Sequence, residues 1–284
     1  METVTTVAGL RRRLDGVRAE GRAVGLVPTM GALHDGHLSL VRRSAEENDV
    51  TVVSLFVNPL QFGEGEDLAA YPRDAEGDTA LAARAGAEVL FAPSVAEMYP
   101  EPVRTTVSVA GVATGMEGEA RPTHFDGVAT VVAKLFAIAG RCSAYFGEKD
   151  YQQLCVVRRL AADLSFPARV VGCATVRERD GLALSSRNAY LTADEREAAP
   201  VLHTALRSGL ATIMAGERDP MVVRELVAAI IEAEPLADLD YAEVRDGLTL
   251  EPLAAIADDG GEVRLLAAAR FGRARLLDNV GYTP

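Results

Sequence analysis

Residues 22–48 read RAVGLVPTMGALHDGHLSLVRRSAEEN. The opening RAVGLVP is a short apolar run and predicts a strand. From Gly36 the pattern changes to helical spacing, with Leu38, Val41 and Ala45 on one face. Between strand and helix lies a loop containing Gly31 and two of the chain's four histidines, His34 and His37. A strand that turns straight into a helix is half of a βαβ unit, and the same alternation continues downstream. DVTVVSLFV (49–57) is β-branched and apolar on both sides, as in a buried parallel strand. DTALAARAGA (78–87) reads as a helix, EVLFAP (88–93) as a strand, VATVVAKLFAIAG (128–140) as a helix and CSAYFG (142–147) as a strand. DYQQLCVVRRLAADL (150–164) is a helix and ARVVGC (168–173) a strand. Right-handed crossovers then give an α/β fold, a Rossmann-like parallel sheet with helices on both faces.

After Val176 the character changes. A capping box, Thr192 to Glu195, starts a helical stretch that Pro200 interrupts, and PMVVRELVAAIIEAE (220–234) is a second helix. DLDYAEV, GEVRLLAAARF and ARLLDNV follow as strands separated by turn signals. The expected division is therefore a Rossmann-like domain over 1–176 and a smaller α+β C-terminal domain over 177–284. RERDGLALSSRN (177–188) is the expected hinge.

Composition narrows the function. Charges of 29 Lys+Arg against 41 Asp+Glu give a net −12, and no basic run extends beyond Arg11–Arg13, which argues against a nucleic-acid partner. No apolar run approaches the ~20 residues of a membrane span. GVATVVAKLFAIAG is too short for one and carries Lys134. The N-terminal residues contain no signal-peptide core, and Cys142, Cys155 and Cys173 form no C-x-x-C pair. A reducing cytoplasm fits, and a disulfide framework or zinc cluster does not.

The loop before a helix start is suited to phosphate, because the first helical N–H groups are unpaired and carry partial positive charge. Neither G-x-x-x-x-G-K-[ST] nor G-x-G-x-x-G follows the first strand. The H-x-x-H spacing instead puts two imidazoles at the helix start, where they can donate to phosphate oxygens. On these residues alone a plain turn with a helix cap, or a metal pair supported by Asp35, remains open, although no further His/Cys cluster would complete a metal site. The chain has 27 arginines and only two lysines, Lys134 and Lys149. Lys149, in FGEKDYQQL, falls at a strand end, where open α/β sheets bind ligands. Lys134 lies in an apolar helix and reads as a snorkelling structural residue. LALSSRN (182–188) lacks the G-x-S-x-G elbow, so its hydroxyls and Arg187 read as phosphate donors rather than as a nucleophile.

VPTMGALHDGHLSLV, FVNPLQFG, YPR, RPTHFDGV, FGEKDYQQL and LSSRN together resemble the pantothenate synthetase (pantoate–β-alanine ligase) family. The match runs in order over 23–190 and continues weakly through LLAAARFGRARLLDN. That family belongs to the H-x-G-H nucleotidyltransferases. The resemblance implies ATP- and Mg²⁺-dependent joining of (R)-pantoate to β-alanine through a pantoyl adenylate, releasing AMP and pyrophosphate, by a cytoplasmic homodimer. It implies ATP contacts by Met30, Gly31, Ala32, Leu33, His34, Asp35, Gly36 and His37, with His37 as proton donor. It extends them to Gly147, Glu148, Lys149 and Asp150, and to Val176, Leu184, Ser185, Ser186 and Arg187. Gln61 and Gln153 match the pantoate-binding glutamines. His34, His37 and Lys149 are the expected catalytic set. Met30, Val131 and Leu135 are expected against pantoate's methyl groups, or as plain helix-face core for the latter two. His124 is expected to order a loop over the site, and His203 to be structural. Leu184 replaces a methionine of relatives, and Gly77 precedes Asp78 where some relatives pair aspartates, so Asp78 is a doubtful metal ligand. Another adenylyltransferase of the same signature, or a non-catalytic nucleotide sensor, is the alternative.

Overall fold

The computed structural model describes residues 1–63, 68, 71–258 and 260–283. The chain forms two compact units. One comprises Met1–Glu148 with Gln152–Ala174, the other Lys149–Tyr151 with Thr175–Pro284.

The first unit contains, in chain order, β1 (Glu2–Val4), α1 (Val7–Ala19), β2 (Val24–Thr29), α2 (Asp35–Glu47), β3 (Val50–Leu55), α3 (Ala75–Arg84), β4 (Val89–Phe91) and α4 (Val95–Met98). It continues with α5 (Met116–Ala120), α6 (His124–Ala139), β5 (Cys142–Gly147), α7 (Tyr151–Asp163, whose first residue clusters with the other unit) and β6 (Ala168–Cys173). The strands are parallel in the order β1-β4-β3-β2-β5-β6. The expected parallel sheet is therefore present. From β2 the chain moves outward through β3 to β4, then returns to place β5 on the other side of β2. The order reverses between β2 and β5, and in open α/β sheets ligands bind beyond the carboxyl ends of strands at such a reversal. Those ends here are Thr29 and Gly147.

Two elements near the N-terminus lay outside the sequence reading. In α1, Leu10, Leu14 and Val17 are fully buried, at i, i+4 and i+7, and Thr6 caps the helix by accepting from the Gly9 N–H. Each such buried side chain contributes about 1.5–3 kcal/mol. The strand Glu2–Val4 is only three residues long and largely exposed, so it has no alternation to read. Val50, Val52, Val53 and Thr51 are buried on both faces of β3, as its two-sided apolar run implies.

The second unit contains α8 (Ala193–Ala198), α9 (Val201–Met214), α10 (Pro220–Glu232) and an antiparallel sheet of β7 (Asp238–Asp246), β8 (Val263–Phe271) and β9 (Ala274–Tyr282), in that order. The capping box forms as read, since Thr192 Oγ accepts from Glu195 N and Glu195 accepts from Thr192 N. The helix breaks around Pro200, as expected. Leu202, Leu206, Ile213, Val223, Val227 and Ile231 pack on Leu265 and Phe271 to make a core of their own. Residues 177–188, expected as a hinge, form a small hairpin and 3-10 turn within this unit: Glu178 N donates to Leu182 O and Leu184 N to Val176 O.

Candidate active site

The loop after β2 is built around a strained turn. Gly31 and Ala32 both have positive φ (94° and 51°), a region that costs a non-glycine residue energy unless its surroundings hold it. Asp78, on α3 and only 3% exposed, does so. Its Oδ2 accepts from Ala32 N at 2.9 Å and its Oδ1 from Leu33 N at 2.7 Å. Gly31 is required beside it, because a Cβ there would lie 2.9 Å from Asp78 Oδ2. Both carboxylate oxygens thus hold loop amides. Asp78 is a loop anchor, in keeping with the doubt over its metal ligation.

The two histidines cap α2 reciprocally. His34 Nδ1 accepts from Gly36 N at 3.2 Å, and His37 Nδ1 accepts from His34 N at 3.4 Å. Their ring centroids are 4.1 Å apart. A ring nitrogen that accepts carries no proton, so each neutral imidazole has its hydrogen on Nε2. The pair therefore brings two Nε2–H donors to the start of a 13-residue helix whose dipole also favours anions. Asp35 is exposed and 3.7 Å from Arg42. Met30 and Gly36 are half-buried.

Gln61 follows β3 in a short turn and is gripped from several sides. Its Oε1 accepts from Asn58 Nδ2 (3.1 Å), and its Nε2 donates to Met30 Sδ (2.9 Å). Asn58 is itself buried and also donates to Gly127 O, while its Oδ1 accepts from Leu60 N and Tyr99 OH. The Gln61 carbonyl meets His124 Nδ1 at 3.0 Å and Arg121 at 3.4 Å. A carbonyl only accepts, so His124 carries its proton on Nδ1, and its Nε2 accepts from Arg121 at 3.2 Å. RPTHFDGV is thus a clamp on Gln61. Its glycine has a steric cause, since a Cβ on Gly127 would sit 2.2 Å from Leu60 O and 2.5 Å from Gln61 Cα. His124, expected to order a loop over the site, acts on this turn at the first residue of α6.

The adjacent glutamines of α7 have different environments. Gln152 is buried, accepts from Glu117 N, and donates to the carbonyls of Val112, Thr114 and Gly115. Gln153 is half-buried on the neighbouring face. Val131 and Leu135 are buried on α6. Lys134, expected as a structural residue, is half-buried with its ammonium 5.6 Å from the Tyr99 ring centre.

In the second unit, Lys149 and Ser185 line one small pocket with Asn188, His203 and Asp278. The Lys149 side chain is 18% exposed, and its ammonium lies 3.4 Å from Asp150. Ser185 caps the turn Ser186–Tyr190 by accepting from Arg187 N, which leaves its own hydroxyl proton to donate. Val176 and Leu184 are joined by a backbone hydrogen bond, and both are half-buried, as are Ser186 and Arg187. Gly147 and Glu148 close β5 in the first unit, half-buried. His203 is half-buried, with its Nδ1 3.6 Å from Asp278 Oδ2. Among the described residues no group of three or more His, Cys, Asp or Glu side chains gathers as a metal cage, and no helix is long and apolar enough to cross a membrane.

Asn58, Gln152 and the anchoring role of Asp78 were not read from the sequence. Asn58-Pro59 is a turn signal directly after a strand and marked the place, though not the network.

A parallel α/β sheet with paired imidazoles on a helix start beyond its point of reversal is the arrangement of an α/β protein suited to a phosphate-bearing ligand. The Pantoate-beta-alanine ligase family model matches residues 2–281. A pantothenate synthetase of Brucella anthropi is 52% identical over 279 residues, 98% of this chain and 96% of that protein. The crystal structure of pantothenate synthetase from Thermus thermophilus is 50% identical, covers both chains fully and superposes with a TM-score of 0.92. Pantoate-beta-alanine ligase from Francisella tularensis, crystallised with beta-gamma ATP and beta-alanine, is 32% identical over 99% of this chain and 97% of its own, with a TM-score of 0.79. The chain belongs to the pantoate–β-alanine ligase family.

Proposed function

We propose that the chain joins (R)-pantoate to β-alanine, using ATP, through a pantoyl adenylate. The observation that carries this reading is a family match along nearly the whole chain, with the capped H-x-x-H pair and the clamped Gln61 at the carboxyl ends of neighbouring strands. The Francisella relative's two ligands support ATP and β-alanine as substrates.

Pantoate's carboxylate is ionised near neutral pH, so its attack on the α-phosphorus needs no general base. It needs alignment and neutralisation of phosphate charge. Gln61 and Gln153 orient the carboxylate as neutral groups, which leaves its electrons available for attack. The Asn58, His124 and Arg121 contacts fix Gln61 before substrate arrives. His34 and His37 donate to phosphate oxygens through Nε2–H beside the α2 amides, with His37 as proton donor. Lys149, Ser185 and Arg187 add charge and hydroxyl contacts to the nucleotide, as the resemblance implies. Pyrophosphate leaves with the electrons of the broken P–O bond. The free amine of β-alanine then attacks the acyl carbon, the nitrogen gives up a proton to the departing AMP phosphate or to solvent, the C–O bond to AMP breaks and the amide forms. Both carboxylate oxygens of Asp78 are engaged by loop amides, so Mg²⁺ is assigned to ATP's own phosphates, its common mode of entry. A cytoplasmic homodimer is proposed on the resemblance alone, and analytical ultracentrifugation tests the dimer.

The test of the reaction is exchange of labelled pyrophosphate into ATP. Exchange should require pantoate and proceed without β-alanine. Strict dependence on β-alanine would overturn the adenylate.

A further inference from the structure

Lys149, Asp150 and Tyr151 join β5 to α7, yet they cluster with the C-terminal unit. Two buried residues, Asn279 of β9 and Arg264 of β8, contact them there. Asn279 Nδ2 donates to the Lys149 carbonyl at 2.8 Å. The same amide's Oδ1 accepts from Arg264 NH1 at 3.1 Å, so both ends of this 4%-exposed side chain are committed. Arg264 in turn stacks its guanidinium 3.6 Å from the Tyr151 ring centre, and the Tyr151 hydroxyl reaches Gly247 O (2.8 Å) and Glu262 (3.2 Å). Behind Asn279 stands Asp278, whose carboxylate accepts the Asn279 N–H at 2.7 Å and is gripped by both terminal nitrogens of Arg177 (2.6 and 2.8 Å). The Lys149 carbonyl on one side of Asp150 and the Tyr151 side chain on the other are thus tied to a buried polar network. A network of that kind strongly favours one geometry over its neighbours.

We infer that Asn279, backed by Asp278 and Arg177, is a positioning residue for Lys149: it fixes the lysine's backbone so that the ammonium is preorganised for phosphate. A strand-to-helix connection needs no buried amide to make its turn. The carbonyl it fixes belongs to one of the chain's two lysines, whose side chain shares a pocket with Ser185 and Asp278. This inference rests on the assignment of Lys149 to ATP made above.

Asn279→Asp tests it, because the shape is kept while the donor facing Lys149 O becomes an acceptor. Steady-state kinetics are compared for Asn279→Asp, Lys149→Ala and the double variant, with circular dichroism to check folding. Lys149→Ala should lower kcat by ~10²-fold, the scale of losing one preorganised donor. Asn279→Asp should lower kcat at least tenfold and leave KM for pantoate within about threefold. The double variant should be no slower than Lys149→Ala within about twofold, because residues acting through one another are non-additive. An Asn279→Asp enzyme with kcat within twofold of the unaltered protein, or additive losses in the double variant, overturns the inference. If Lys149→Ala itself turns over normally, the lysine's assignment falls and the positioning role falls with it. A normal Asn279→Asp beside a crippled Lys149→Ala sinks the positioning role alone. If Asn279→Asp does not fold, Tyr151→Phe replaces it in the cycle. That variant keeps the ring under Arg264 but loses the hydroxyl contacts, and it should lower kcat three- to tenfold, again without adding to Lys149→Ala. A Tyr151→Phe enzyme with unchanged kcat would count against the inference.

Discussion

Asp78→Asn separates a loop anchor from a metal ligand. The native carboxylate accepts two amide hydrogens, at 2.9 and 2.7 Å, in a place where water cannot replace it. Asparagine retains one acceptor oxygen and turns an NH₂ towards the other amide. One hydrogen bond to a charged group is lost, worth about 1.5–3 kcal/mol, and the survivor weakens to roughly half when its acceptor becomes neutral. A total of about 2–4 kcal/mol follows. For a protein of this size each kcal/mol moves Tm by about 2–4 °C, so the ligand-free variant should melt roughly 5–15 °C lower. Ala32 would then leave its left-handed conformation, and ATP would have to restore it on binding. If about 2 kcal/mol of that cost falls on binding, ATP affinity drops roughly 30-fold. Scanning calorimetry without ligand and an ATP titration read the two effects. A variant with unaltered Tm and ATP affinity that has lost only its Mg²⁺ dependence would refute the anchor, since a metal ligand leaves the ligand-free protein no weaker.

Gly127→Ala should destabilise the first unit and raise KM for pantoate together, because the new methyl meets backbone at Leu60 and Gln61 rather than a yielding side chain; normal pantoate kinetics in a folded variant would contradict the clamp. Gln153→Ala should weaken pantoate about 10- to 150-fold in a calorimetric titration and leave ATP nearly unchanged, whereas Gln152→Ala should lower Tm first, since it releases the 112–117 turn; reversed phenotypes would exchange the two roles. Burial alone would raise the Asp278 carboxyl, but His203, Arg177 and the Asn279 amide together hold it below the ordinary carboxylate range. Its contribution to stability is therefore full above about pH 4 and is lost as pH falls through the depressed value. Urea midpoints should drop as pH falls below about 4, and less steeply in Asp278→Asn; parallel curves would show that the carboxylate's contacts add nothing.

The elements that position the site were legible where pattern and chemistry coincide. The change from strand to helix spacing between residues 22 and 48 located β2, the loop and α2, and the Thr192 box and Pro200 set the later helix boundaries. The first helix carries the same kind of signal in Leu10, Leu14 and Val17, masked by the arginine run between them, whereas Glu2–Val4 has none to give. Motif resemblance named Gln61, Gln153, Lys149 and the histidines, but not what holds them. Asn58, Asp78 and Asn279 are polar residues whose work is to satisfy backbone groups distant in sequence, and such pairings leave no periodic trace along the chain. The local structure of the expected hinge was hidden for a related reason. Its glycine and polar residues are turn chemistry, and they serve a hairpin as readily as a linker.

The bond from Asn279 to the Lys149 carbonyl spans 130 residues of chain. Closing so long a loop is slow relative to local helix formation, and it cannot occur until β9 has been synthesised. A ribosome that stalls before Ala274 releases a chain with the residues of the parallel sheet complete and its lysine unfastened. If Lys149 serves ATP, such a product should turn over at least about tenfold more slowly however well its first unit folds. The last strand thus completes the fastening of a lysine that lies far upstream in the chain.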